Sequence, residues 1–446
     1  MKKLICFLLL LPFTSRISAQ WTEQCGTGNG FIVNFETFNN ELYATGFFTN
    51  VCGISANHIA KLGTNGWEAV GTGLPQAGHQ LQAIGNELYA VHYEPNIDSN
   101  WLYRFDGTNF NKIGAGFYLT NAVAGFSKTA NLYRIHSYGG EVVVSGEFDR
   151  VGSEAISGIA SWNGSEWNPL GTGLSGTIPG TADVMYPHDL CTFGTDLIAA
   201  GNFQFAGGET VNGIARWDGT QWHAMGAGFN STVYGTTVYN GELYAGGDFT
   251  SSGTETLKNI AKWNGTAWVD PGFRVFYNNS SNYSYVHTLK VINDQLLISG
   301  GFDRVQTAAQ TMRCSAVIAY NGTLIDTLSG GIPGKEIEAL ARWNGRLYAG
   351  GGLNGSSYIA RYEPFLSVDE NEQQPVTISP NPTSGVFKAE LTLPGTALIV
   401  ICDPSGKEVL RTKDTLIDLS AFGNGYYSVQ IITDEGVTRE KILLQR

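Results

Sequence analysis

The chain has 446 residues, 42% of them hydrophobic and 15% charged, and 39 acidic side chains outnumber 27 basic ones for a net charge of −12. That balance excludes nucleic acid and anionic membrane as partners, since both are held through basic patches. Abundant glycine and aromatic residues point to turn-rich β structure.

The chain opens Met1-Lys2-Lys3, runs apolar from Leu4 to Phe13, and reaches Ile17-Ser18-Ala19 before Gln20. A basic start, a short apolar core and a small residue at the cut read as a secretory signal peptide over residues 1–19. The run is too short to span a bilayer. Cys6 lies inside it rather than at the cleavage point, which argues against a lipid anchor, and no other stretch suits a transmembrane segment. Without Lys2, Lys3 and Arg16, 24 basic side chains face 39 acidic ones and the net charge is −15.

From residue 20 to residue 366 one phrase returns, with Gly241–Phe249 (GELYAGGDF) as its clearest copy. The residue after its turn falls at Glu41, Glu87, Glu141, Asp196, Glu242, Gln295 and Arg346, a period of 46 to 55 residues. Such a period, rich in glycine and aromatics, is the signature of propeller blades. Each repeat predicts four strands. In the fifth, two Asn-Gly pairs (Asn240-Gly241 and Asn264-Gly265) mark hairpins of type I′, whose central residues both need positive φ. Gly246-Gly247 suits a place where another backbone comes close. The pairs Trp162/Trp167, Trp217/Trp222 and Trp263/Trp268 are expected to fill the space between radially arranged sheets.

The last repeat stops at a third strand, Tyr358–Tyr362, and its missing fourth stands at the other end of the chain. There Trp21 and Gly26-Thr27-Gly28 match Trp67 and Gly71-Thr72-Gly73. The expected fold is all-β, a seven-bladed β-propeller closed by its N-terminal strand, which removes the open sheet edges. In the glycines after the second strand and the paired aromatics, the repeats resemble the kelch and galactose-oxidase class of propellers. Phe47, Glu147 and Asn202 depart from the second glycine of that pattern. Five further cysteines (Cys25, Cys52, Cys191, Cys314 and Cys402) are too few for a disulfide framework. Cys25 and Cys52 become neighbours in this arrangement, either as a pair or as two small core residues.

Residues 367–375 are acidic and polar without apolar periodicity and read as a linker. Residues 376–446 read as a compact all-β unit with turns at Pro380-Asn381-Pro382 and Pro404-Ser405-Gly406. The unit carries Ser379-Pro380-Asn381-Pro382-Thr383-Ser384-Gly385, Asp403–Lys407 around Gly406, Ile417–Ser420, Gly425-Tyr426-Tyr427 and a basic end at Lys441. In these motifs it resembles the type A C-terminal sorting domain of the type IX secretion system of Bacteroidota. The resemblance implies a small β-sandwich recognised by the secretion machinery. It also implies passage through the periplasm and release outside the cell or attachment to the outer-membrane surface.

Eight places before each residue that follows the turn stand Val33, His79, Tyr133, His188, Tyr234, His287 and Glu338. Three of the chain's seven histidines thus share one repeat position, at the start of the first strand and near one mouth of the expected channel. The long connections Gly173–Pro187 and Gly272–Val286, the latter with Tyr277, Tyr283 and Tyr285, belong to the same face, where binding usually resides. His79, Tyr133, His188, Tyr234, His287 and Glu338 are therefore the candidate ligand-binding residues; hydrogen bonding to neighbouring backbone is the alternative. No zinc, EF-hand or G-x-S-x-G motif is present, and no cofactor or metal is expected. Glu36, Asp183, Asp189 and Glu338 are the carboxylates near the mouth that a hydrolase would need as a pair ~5–10 Å apart. The leading expectation is a secreted or surface-displayed adhesion module for a glycan or surface protein. A polymer-degrading or oxidising enzyme, or a structural surface component, is the alternative.

Overall fold

A computed structural model describes residues 20–25, 30–92, 99–120, 130–181, 185–278, 284–332, 336–353, 356–363, 377–381, 383–390, 398–403, 408–433 and 436–445. The stretches expected as signal peptide (1–19) and linker (367–375), and Gly26-Thr27-Gly28, Asp183, Tyr283, Pro382 and Gly406, lie outside them. Every regular element among the described residues is a β-strand, and no helix there is long and apolar enough to cross a membrane. The chain forms two compact units, Met1–Glu363 and Pro364–Arg446.

In the first unit each repeat becomes a small antiparallel sheet. The fifth pairs Val233–Tyr239, Glu242–Gly247, Ile260–Trp263 and Trp268–Val269 in that order. Its first turn is the expected one, with φ of 51° at Asn240 and 79° at Gly241. Asn264-Gly265 differs. Only Gly265 has positive φ, and the Asn264 carboxamide oxygen accepts the N–H groups of Thr266 (3.0 Å) and Ala267 (2.8 Å). The asparagine here caps a longer turn by mimicking backbone, and Asp106, Asn163, Asp218 and Asn321 do the same in other repeats.

The last repeat takes its fourth strand from the N-terminus. Gln20–Cys25 runs antiparallel to Ser356–Glu363, with Gln20 opposite Glu363 and Trp21 opposite Tyr362. Cys25 is disulfide-bonded to Cys52 of the first repeat, while Cys191 and Cys314 are free.

Apolar clusters lie between neighbouring sheets, and buried donors stitch them. Trp222 Nε1 donates to the Leu170 carbonyl (2.8 Å) and Trp268 Nε1 to that of Met225 (3.1 Å). Tyr138, Tyr239 and Trp343 each donate to the turn of the next sheet, at the carbonyls of Thr195, Asp294 and Asn40. The first strands contact one another in succession: Ile32–Phe38, Gly78–Ile84, Asn131–Tyr138, Tyr186–Phe193, Val233–Tyr239, Tyr285–Ile292 and Ile337–Trp343, which again contacts Ile32–Phe38. Two connections expected as loops carry strands instead. Leu174–Ser175 pairs with Phe205–Ala206, and Phe273–Phe276 with Arg304–Thr307.

The second unit has two antiparallel sheets. One orders Thr377–Ser379, Val386–Glu390 and Leu416–Asp418; the other orders Glu408–Thr412, Leu398–Cys402, Gly425–Thr433 and Gly436–Leu444. Phe387, Ile399, Ile401, Ile417, Val429 and Ile442 share one buried core between them. The Asn381 carboxamide oxygen accepts the Leu443 N–H (3.0 Å), which ties Asn381 to the last strand. Gly385 sits where a Cβ would meet Ser420 Oγ at 2.4 Å, and Gly425 opens a strand with φ of 155°. The backbone of Tyr426 pairs with Leu443, and that of Lys441 with Ser428.

Candidate ligand-binding site

The polar column has a backbone cause. In every first strand the ladder to the second strand slips by one residue. The slips fall between Ile32 and Asn34, Gly78 and Gln80, Leu132 and Arg134, and Pro187 and Asp189. They recur between Val233 and Gly235, Val286 and Thr288, and Ile337 and Ala339. The residues left out of the ladder are Val33, His79, Tyr133, His188, Tyr234, His287 and Glu338. A β-bulge frees one residue from pairing and re-aims its side chain.

The bulge also explains a glycine near the end of six second strands. The partner residues are Gly46, Gly146, Gly201, Gly247, Gly300 and Gly351. A Cβ on Gly146, Gly201 or Gly247 would stand 2.1 Å from the carbonyl oxygen of Asn131, Tyr186 or Thr232. The close backbone is thus the sheet's own first strand. The second repeat reverses the pair, with Gly78 in the first strand and His92 opposite it.

Turned out of their ladders, five bulge residues form a continuous aromatic belt. Ring centroids lie 5.3 Å apart for His79 and Tyr133, 6.4 Å for Tyr133 and His188, 5.0 Å for His188 and Tyr234, and 5.9 Å for Tyr234 and His287. Those separations are within the range of attractive aromatic pairs. Tyr186 and Tyr285 extend the belt, at 5.8 Å from His188 and 6.0 Å from Tyr234. Carboxylates back the phenols: Tyr133 donates to Glu147, Tyr234 to Asp248 (3.1 Å) and Tyr285 to Glu336. Glu147 and Asp248 each follow the glycine that faces the bulge; Glu147 was visible as a departure from the second glycine, whereas Asp248 follows an intact Gly246-Gly247.

One layer deeper, side chains hold the next first strand. Asn34 accepts the Leu81 N–H (3.1 Å), Gln80 that of Ile135 (2.5 Å) and Asp189 that of Thr236 (2.6 Å). Arg134 lies 3.6 Å from Asp189, and Glu36 accepts the Ala83 N–H (3.1 Å) while it faces Lys290. Arg134 and Lys290 are absent from the sequence expectation. Their columns, one and three places after the bulge, mix residue types too freely to stand out.

Burial, then the Arg134 charge, pushes His79 down to about 3 and His287 to about 4, and holds His188 well below its ordinary value. The three rings are therefore uncharged at neutral pH. Burial, then Glu336, pushes Glu338 up to about 7. Its proton is held more tightly in the folded protein than in the unfolded chain. The resulting stabilisation is fully present below pH 4.5 and is lost as pH rises through 7. Glu338→Gln keeps the neutral form at every pH. It should exceed the parent in stability at pH 8 by on the order of 2 kcal/mol and match it at pH 4. Urea midpoints across that range check this, and a constant offset would contradict it.

Among the described residues no three His, Cys, Asp or Glu side chains gather as a metal cluster. The site offers neutral donors and acceptors on an aromatic belt, edged by carboxyl groups.

Residues 377–445 match the family described as the secretion system C-terminal sorting domain. This tail marks the chain for export by type IX secretion to the cell surface or beyond, with the secretion machinery as its partner on that route. No curated protein matches the chain. Among solved structures, the computationally designed Ika8 protein is 11% identical, with 76% of this chain and 98% of that one covered and a TM-score of 0.38. PorZ, a surface component of the type IX secretion system of Porphyromonas gingivalis, is 13% identical over 93% of this chain and 66% of that one, with a TM-score of 0.31. A Bombyx mori GH32 β-fructofuranosidase is 12% identical over 95% and 89%, also with a TM-score of 0.31.

Proposed function

We propose that residues 20–366, behind a signal peptide of residues 1–19, form a kelch-like seven-bladed β-propeller closed by the N-terminal strand. A linker at 367–375 then joins it to the sorting domain at 376–446, a small β-sandwich. The succession of first-strand contacts that returns to Ile32–Phe38 supports this reading, as does the pairing of Gln20–Cys25 with Ser356–Glu363. The propeller acts as a binding or adhesion module, in the medium or on the outer-membrane surface. It takes a glycan or another surface protein at the mouth where the bulges lie.

The repeated bulge carries this conclusion. An unbroken ladder would serve packing alone, whereas the slip turns an imidazole, phenol or carboxyl out of six first strands toward common space. Uncharged rings with donors and acceptors suit sugar hydroxyls and their apolar C–H faces. A broad glycan array tests it, with the protein beside His188→Ala/His287→Ala. The variant is expected to lose at least tenfold in binding while it stays folded with the parent's circular dichroism spectrum. If neither protein binds while both remain folded, the glycan version fails and surface proteins become the class to test.

A further inference from the structure

The space between the first and second repeat sheets is built differently from those that precede the third, fourth and fifth repeats. In the third, fourth and fifth repeats a tryptophan pair, with centroids 5.3 to 5.4 Å apart, lies on the preceding sheet. Its rings press on Gly114, Gly171 and Gly226 of that sheet. In the second repeat the pair is Phe105 and Phe110, centroids 5.0 Å apart. Neither has the ring N–H with which Trp222 and Trp268 bond the sheet before them. A third position changes the same way: Phe38 stands where Tyr138, Tyr239 and Trp343 reach the next turn with a donor. The backbone of Thr108 and the side chain of Asn109 come over Gly71, and Thr72 donates to Asn109 (3.0 Å).

Phe38 and Phe105 line a cleft of about 780 Å³ in this space. That lies within the roughly 300–1,000 Å³ of small-molecule sites. It opens at the far end of the first strands from the bulges, a separation of ~20 Å along seven residues.

We propose that this cleft binds a short neutral oligosaccharide, as a second site separate from the mouth. Both of its cations are engaged: Lys61 with Glu41 at 2.8 Å and Glu68 at 3.9 Å, and Arg104 with Glu87 at 3.0 Å. Asp106, also on the wall, is occupied with the N–H groups of Thr108 and Asn109. An anionic ligand would have to break one of these pairs, and a cationic one would compete with Lys61 for Glu68. A neutral polyol meets adjacent donors and acceptors without doing so. The half-buried Phe105 ring offers the apolar face on which the C–H side of a sugar ring packs.

The purified protein is probed on an array of neutral oligosaccharides of two to six units. Phe105→Trp/Phe110→Trp, Phe105→Ala and His188→Ala/His287→Ala are probed beside it. The tryptophan variant installs what three other repeats already carry, so it should fold with an unchanged Tm while it fills the cleft. Binding that survives the histidine changes and falls at least tenfold in the tryptophan variant and in Phe105→Ala is the expected result. Should the tryptophan variant misfold, Phe105→Ala alone decides. No binding, or binding that these cleft changes leave intact, overturns the proposal. Loss in the histidine variant alone assigns the sugar to the mouth and overturns it too. Trilysine bound in place of every neutral sugar would reject the saccharide class.

Discussion

Gly201→Ala is expected to destabilise the repeat unit by roughly 2–3 kcal/mol and to abolish ligand binding at the mouth. The methyl group would meet the Tyr186 carbonyl oxygen at 2.1 Å and the Pro187 Cα at 2.6 Å. Both are backbone atoms of the paired first strand, so no rotamer change relieves the contact. The strand must shift or give up its bulge, and His188 is the bulged residue. Alanine at Gly146, against the Asn131 carbonyl, should act in the same way on Tyr133. Urea denaturation and array binding read the two effects separately. A variant with parental stability and binding would show that the bulge does not depend on glycine.

The second large effect belongs to the disulfide. Cys25 and Cys52 are 27 residues apart, and closing a loop of that length restricts the unfolded chain by about 3.5 kcal/mol. Cys25→Ser/Cys52→Ser should lose that stability, and Cys25→Ser alone should lose nearly as much because both remove the same cross-link. Added reductant should shift the parent's urea midpoint to that of the double variant and leave the variant unmoved. An unchanged midpoint in the variant would contradict this. A disulfide suits the oxidising route that the sorting tail prescribes.

The repeats and the first Asn-Gly turn were legible because they are local. Two consecutive residues with positive φ favour asparagine, aspartate or glycine, and Asn240-Gly241 follows that preference. Asn264-Gly265 does not, because its side chain supplies the turn's acceptor instead. The N-terminal fourth strand was readable from a gap at one end and a matching fragment at the other. The bulge was not readable as such, since a ladder slip is a relation between two strands. Its traces were visible separately, as a polar column in one strand and glycine in the other. Arg134 and Lys290 escaped notice because each answers a partner on another repeat, Asp189 and Glu36, rather than a rule of its own. The strand Phe273–Phe276 escaped for a similar reason: its partner, Arg304–Thr307, lies in the following repeat.

The register that sets Gln20 opposite Glu363 brings both ends of the repeat unit to one ladder. A pull applied between those ends would therefore fall first on that pair of strands. It would peel them one residue pair at a time, the mode in which hydrogen bonds resist least. Peeling can run only from Gln20 to Cys25, where the bond to Cys52 holds the strand to the first repeat. Beyond that point the load on the N-terminal side passes into a covalent link to the first repeat. For a protein exposed to shear outside the cell, a single cross-link placed six residues in would serve as a mechanical stop.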